Sequence, residues 1–175
     1  MYDVLVFVYE NFWHGDACPE SEQLSLKLSA KGFEAADIAD ALNWLDGLRL
    51  ATQGLQPDRA PDAAKAPVPA ANAEWPASVM TLVQSPHAMR VYSALEQEHL
   101  GAHGLGFLRF LEDSQVLAPG MREVIVERAM AAPDAPVALD ELKIIVLMVY
   151  WSTGIEPDAL VLDELCDDTE GRVAH

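Results

Sequence analysis

The sequence predicts a mainly α-helical protein, with a winged-helix-turn-helix-like N-terminal part followed by an α-helical C-terminal part. Three observations predict it. Residues 21–50 hold two apolar-periodic runs separated by Gly32, the outline of a helix-turn-helix. Two short alternating segments, 48–53 and 88–93, flank a Pro/Ala-rich stretch as the strands of a wing would. From Ala94 onward the apolar residues return at helical spacing.

The first element is apolar nearly all round. Residues 2–9, YDVLVFVY, fit a buried strand or a buried helix, but no turn residue precedes His14-Gly15-Asp16. That length favours a helix over residues 3–13 with Asp3 as its N-cap. Ser21 caps a second helix, residues 22–31, which buries Leu24 and Leu28, carries Lys27 and Lys31 near its end, and stops at Gly32. A third helix, residues 35–48, places Ile38, Ala41, Leu42, Leu45 and Leu48 on one stripe and stops near Gly47. The sequence Leu48-Arg49-Leu50-Ala51-Thr52-Gln53 then alternates as a first wing strand.

Residues 55–78 contain five prolines and eight alanines, a composition that sustains neither a helix nor a sheet ladder. Trp75 within it marks a docking point or the return of order. Ala88-Met89-Arg90-Val91-Tyr92-Ser93 alternates again and supplies the second wing strand, since a wide loop adds only modest closure entropy. The expected organisation is therefore residues 1–54 as helix-turn-helix with the first wing strand, 55–85 as a mobile loop, 86–93 as the second strand, and 94–175 as a helical part packed on the first. In that last part, helices are predicted over residues 96–114, 119–131 with Pro119 at its first position, 141–151 capped by Asp140, and 157–166.

Charge narrows the function classes. The chain has 11 basic and 28 acidic residues and a net charge of −17. Both ends share it, with three basic against nine acidic residues in 1–54 and six against sixteen in 86–175. Such a field repels a phosphate backbone, which argues against general nucleic-acid binding, and ordinary solubility is its simplest explanation. Cys18 and Cys166 form no ligand pair, as in a reduced cytoplasmic protein. The N-terminus lacks the basic segment and cleavage site of a signal peptide, and no apolar run is long enough to span a membrane.

The phrases MYDVLVFVYENF, GFEAADIADALNWLDGL, SPHAMRVYSALEQEHL, GFLRFLEDSQVL, MREVIVERAM and LDELKIIVLMVYW follow one another in a specific order. In them the chain resembles the Smg family, small bacterial proteins of unassigned biochemical function, over nearly its whole length except the Pro/Ala loop. The resemblance implies a cytoplasmic bacterial protein without an established enzymatic activity. Family members are often encoded near genes for DNA processing, which implies a protein partner from nucleic-acid metabolism. The chain departs from the family pattern at two caps, with Glu34 where a Ser more naturally opens the third helix and Ala118 where Asn or Asp would precede Pro119.

The outer face of the third helix is the sharpest functional clue. It carries Asp40, Asn43 and Gly47, flanked by Asp37 and Trp44. Major-groove readers place Arg, Lys, Asn or Gln there, whereas Asp37 and Asp40 would confront phosphates. An exposed Trp44 among carboxylates suits a protein interface; alternatively it folds onto the N-terminal helix as core. Tyr92 and Arg90 on the wing extend the candidate interaction set. Arg90, Arg122 and Arg128 are scarce cations in an acidic half, and fit ion pairs with Glu123, Glu127 or residues 94–98 better than a carboxylate-binding site.

Catalytic and metal motifs are weaker. Glu96, His99 and His103 stand at i, i+3 and i+7, but His14, His87 and His175 have no evident reason to complete a metal site. The glycine-rich run 101–106 follows no strand and lacks the ending of a phosphate loop, so its glycines fit a helix break or a close helix contact. No nucleophile signature occurs, and no cofactor is implied. The expectation is a non-catalytic regulatory or adaptor protein that binds another protein through an acidic winged-helix face. The alternative is a DNA-associated regulator, either as a winged-helix DNA binder or as an acidic DNA mimic in the groove of a nucleic-acid enzyme.

Overall fold

Six helices pack around one core in the computed structural model, which describes residues 1–12, 19–53, 55, 90–133, 135–155 and 157. They are α1 (Tyr2–Asn11), α2 (Ser21–Lys31), α3 (Ala35–Thr52), α4 (Ala94–Asp113), α5 (Pro119–Met130) and α6 (Leu139–Thr153). The mainly helical class therefore holds, and no strand occurs among the described residues. The remainder of the 55–85 loop, residues 86–89, the 157–166 helix beyond Pro157, and Cys18, Cys166, Trp75, His14, His87 and His175 lie outside the described residues.

The core is built on α6. Leu142, Ile145, Val146, Met148 and Val149 are fully buried, because this helix is apolar nearly all round and has neighbours on several sides. It packs on α1, α3, α4 and α5; α1 and α5 also touch α3, and α2 packs chiefly on α3, with Lys31 over the Phe7 ring of α1. Side-chain hydrogen bonds anchor α6, two of them to the N-terminal half. Trp151 Nε1 donates to the Phe12 carbonyl at 2.6 Å, Tyr150 Oη donates to the Val116 carbonyl at 2.7 Å, and Thr52 Oγ1 meets Ser152 Oγ at 2.8 Å. Burial pushes the Tyr150 phenol above its ordinary value.

The helix-turn-helix outline survives, with altered ends. Gly32 closes α2 at φ +96°, a conformation open to glycine at little cost, and Phe33 N–H returns to the Leu28 carbonyl at 3.3 Å. Phe33 then meets Phe7 edge-on, with centroids 5.6 Å apart, which fixes the turn against α1. Ser21 is the first residue of α2 rather than its cap, and Asp3 lies in the first turn of α1 behind Met1.

The wing does not form as expected. Residues 48–52, assigned above to a strand, are the last turn of α3. Ile38, Ala41, Trp44, Leu48 and Thr52 are buried at continuing helical spacing, whereas Leu50, which a strand would pair with the 48 position on one face, is 70% exposed. A six-residue alternation is satisfied equally by the end of a helical stripe, and tertiary burial of Leu48 and Thr52 decides for helix. Residues 90–93 form no strand either; they lead into the N-cap of α4.

Candidate interaction surface and the arginine–glutamate network

The exposed face of α3 carries Asp40, Asn43, Asp46 and Leu50, at successive helical spacings of three, three and four. Asp37 sits at its N-terminal edge, half exposed, and its Oδ1 accepts a hydrogen bond from the Met1 amino group at 2.7 Å. The sequence pointed to Asp37, Asp40 and Asn43; it did not point to Asp46, which lies inside the expected helix three residues beyond Asn43, or to Leu50, which lies past its expected end. Extending the 3.6-residue period to the true end of α3 brings Leu50 onto the same face.

Trp44 does not belong to this face. It is 4% exposed, and its Nε1 donates to the Arg128 carbonyl at 3.0 Å. That carbonyl is one of the last four in α5, which have no partner within their own helix. His99 serves the next one: its Nε2 donates to the Ala129 carbonyl at 2.9 Å. The end of α5 is thus closed by side chains from α3 and α4. Gly47 faces the same junction, since a Cβ there would overlap the Arg128 guanidinium. Gly47 is a notch for an arginine rather than a helix stop.

Arg90 and Tyr92 also turn inward. The Arg90 guanidinium forks onto Glu96 at 2.8 and 2.9 Å and reaches Glu123 at 3.0 Å, so it joins the start of α4 to α5. Its carbon lies 4.5 Å from the centre of the Tyr92 ring. Glu123 also accepts from Arg122 at 2.7 Å, and Arg122, 6% exposed, holds Glu112. The result is an alternating chain, Glu96–Arg90–Glu123–Arg122–Glu112. The Arg90 hydrogen bonds, followed by the Ser93 N–H, hold the Glu96 carboxyl down to about 2. Burial raises Glu123, but the bonds from Arg90 and Arg122 outweigh it and leave its value lowered. Burial and the nearby Glu112 push the Tyr92 phenol up.

The three residues at i, i+3 and i+7 have separate roles. Glu96 serves Arg90, His99 serves α5, and His103 lies beyond a break in α4. At the break, Gly101 adopts φ +65°, and the His99 carbonyl accepts from Val137 N–H at 2.8 Å. One turn on, Gly104 brings α4 close to α6, where a Cβ would stand 3.1 Å from Leu142. The glycine-rich run provides both the break and the close contact expected of it.

The family description "Protein of unknown function (DUF494)" matches residues 1–175. Proteins named "Protein Smg homolog" are similar over the full length of both chains: 50% identical in Methylibium petroleiphilum, 51% in Leptothrix cholodnii and 41% in Bordetella avium. The chain belongs to the Smg (DUF494) family. No solved structure matches it. Glu34 and Ala118 stand at the N-caps of α3 and α5 without a side-chain cap bond.

Proposed function

We propose that this Smg-family chain is a non-catalytic regulatory or adaptor protein that binds a basic surface on another protein through the outer face of α3. The observation that carries this reading is the division of α3 into two faces. Its inner stripe is committed to the core, while Asp40, Asn43, Asp46 and Leu50 stand in solvent as acids beside one large apolar side chain. That mixture suits an interface in which carboxylates meet arginines or lysines and Leu50 is covered.

The displaced pKa values also support a structural use of the buried charges. Glu96, Arg90, Glu123 and Arg122 are perturbed by one another, in a network that joins helices. Direct duplex binding is disfavoured, because the face that would enter a major groove is acidic. The preferred partner is instead a protein with a basic groove, of the kind that handles nucleic acid. A gel-shift titration at low salt tests this: no salt-sensitive duplex binding is expected, and tight binding that collapses with salt overturns the adaptor reading.

A further inference from the structure

We propose a second binding site, the cleft between α1 and α2, which takes an acidic amphipathic helix of a partner protein. Phe7, Asn11, Phe12, Lys27, Ala30 and Lys31 line a cleft of about 410 Å³. Lys27 Nζ lies 5.2 Å from the centre of the Phe12 ring, and Lys31 Nζ lies 5.8 Å from that of Phe7. The rings hold the two ammonium groups in place, which lowers the ordering cost of receiving an anion.

Charge complementarity selects the occupant. Arg90, Arg109, Arg122 and Arg128 each hold a carboxylate, whereas among the described residues no carboxylate forms an ion pair with Lys27, with Lys31 or, apart from them on α3, with Arg49. In a chain of net charge −17 with abundant acids, two lysines side by side with no ion-paired carboxylate among the described residues form a local positive site. They are four residues apart on one helix, hence about 5–6 Å apart at their Cβ atoms, a spacing matched by two carboxylates at i and i+4 on a facing helix. The cleft is also larger than a single small anion needs, and Phe7, Phe12 and Ala30 give it apolar lining for a Leu-sized side chain. Asn11 uses one amide hydrogen on the Phe7 carbonyl and retains a second for a carboxylate at the rim. This site is distinct from the α3 face and opposite to it in charge.

The test uses the full chain and a labelled 14-residue helical peptide with Leu on one face and Glu pairs four residues apart, followed by fluorescence anisotropy. Saturable binding is expected. The Lys27→Met/Lys31→Met variant keeps stems to cover the rings and should bind at least tenfold more weakly, as should a Glu→Gln version of the peptide bound to the wild-type chain. Circular dichroism of the variant should match the wild type. The inference is overturned if the peptide fails to bind, if variant and wild type bind equally, or if the Gln peptide binds as well as the Glu peptide. Displacement by inorganic phosphate at low millimolar concentration overturns it in favour of a free-anion site, and a dimer that the variant dissolves overturns it in favour of a second copy.

Discussion

At Trp44 a single donor decides which surface the protein can offer. Its indole fills the α3–α5 junction and its Nε1 closes the Arg128 carbonyl, so it stabilises the fold and is not available as an interface anchor. Trp44→Ala should lower the unfolding free energy by roughly 3–5 kcal/mol, the range for removing a buried aromatic. Trp44→Phe keeps much of the packing and loses the bond, and should cost about 1–3 kcal/mol through the orphaned carbonyl. Urea denaturation checks both, and a Trp44→Ala change below about 0.5 kcal/mol would return the indole to the surface. The sequence left this residue open between interface and core, because a tryptophan beside carboxylates on a helical wheel fits either. The decisive partner lies 84 residues away, in a helix end with unmet carbonyls.

Helix ends govern the next scale. The start of α4 is held by a capping box, with Ser93 Oγ accepting from Glu96 N–H and Glu96 accepting from Ser93 N–H, and by the Arg90 fork onto the same carboxylate. Because the folded Glu96 is held near 2, below its ordinary 4.5, its charge contributes stability above about pH 4.5, and that contribution is lost as pH falls toward 2. Glu96→Gln retains the capping geometry without the charge. The stability difference between wild type and Glu96→Gln should therefore be constant above pH 5 and shrink steadily below pH 4.5; a difference independent of pH from 6 to 2.5 would contradict the network. Gly101→Ala should destabilise by about 1–3 kcal/mol, since φ +65° strains an L side chain, and thermal melts read that change.

These elements also show what was legible in the chain. Pro119, Gly32, the Leu/Ile/Val periods and, for α1, the length of its apolar run marked all six described helices, within about four residues at their ends. The ion pairing of Arg90 with Glu123 and Glu96 was legible as well, because scarce arginines beside glutamates have few other uses. The wing was not. Residues 48–53 alternate over too few positions to separate a strand from the last turn of a helix, and only burial against α6 distinguishes them. Gly47 was misread for a related reason: glycine within a helix costs about 1 kcal/mol relative to alanine. Its use here, room for Arg128, depends on a helix that packs from elsewhere in the chain.

At the scale of the whole molecule, an apolar α6 gathers α1, α3, α4 and α5, and leaves one side of α3 and one side of the α1–α2 pair free for other work. No described helix is long and apolar enough to cross a membrane. The two free regions differ in sign, acidic on α3 and cationic at Lys27 and Lys31, so on the proposed adaptor reading they would select partners of opposite charge. Charge changes at Asp40 and Asp46 should leave stability within about 0.5 kcal/mol, because both are solvent-exposed and hold no partner among the described residues. The central claim is that the α3 face is a protein-binding surface. Quantitative crosslinking capture from a lysate of the source organism, with wild-type chain and an Asp40→Lys/Asp46→Lys variant as parallel baits, tests it most directly. The account predicts that proteins enriched by the wild type at matched bait levels are lost from the variant while its circular dichroism is unchanged; the same set enriched equally by both baits would contradict it.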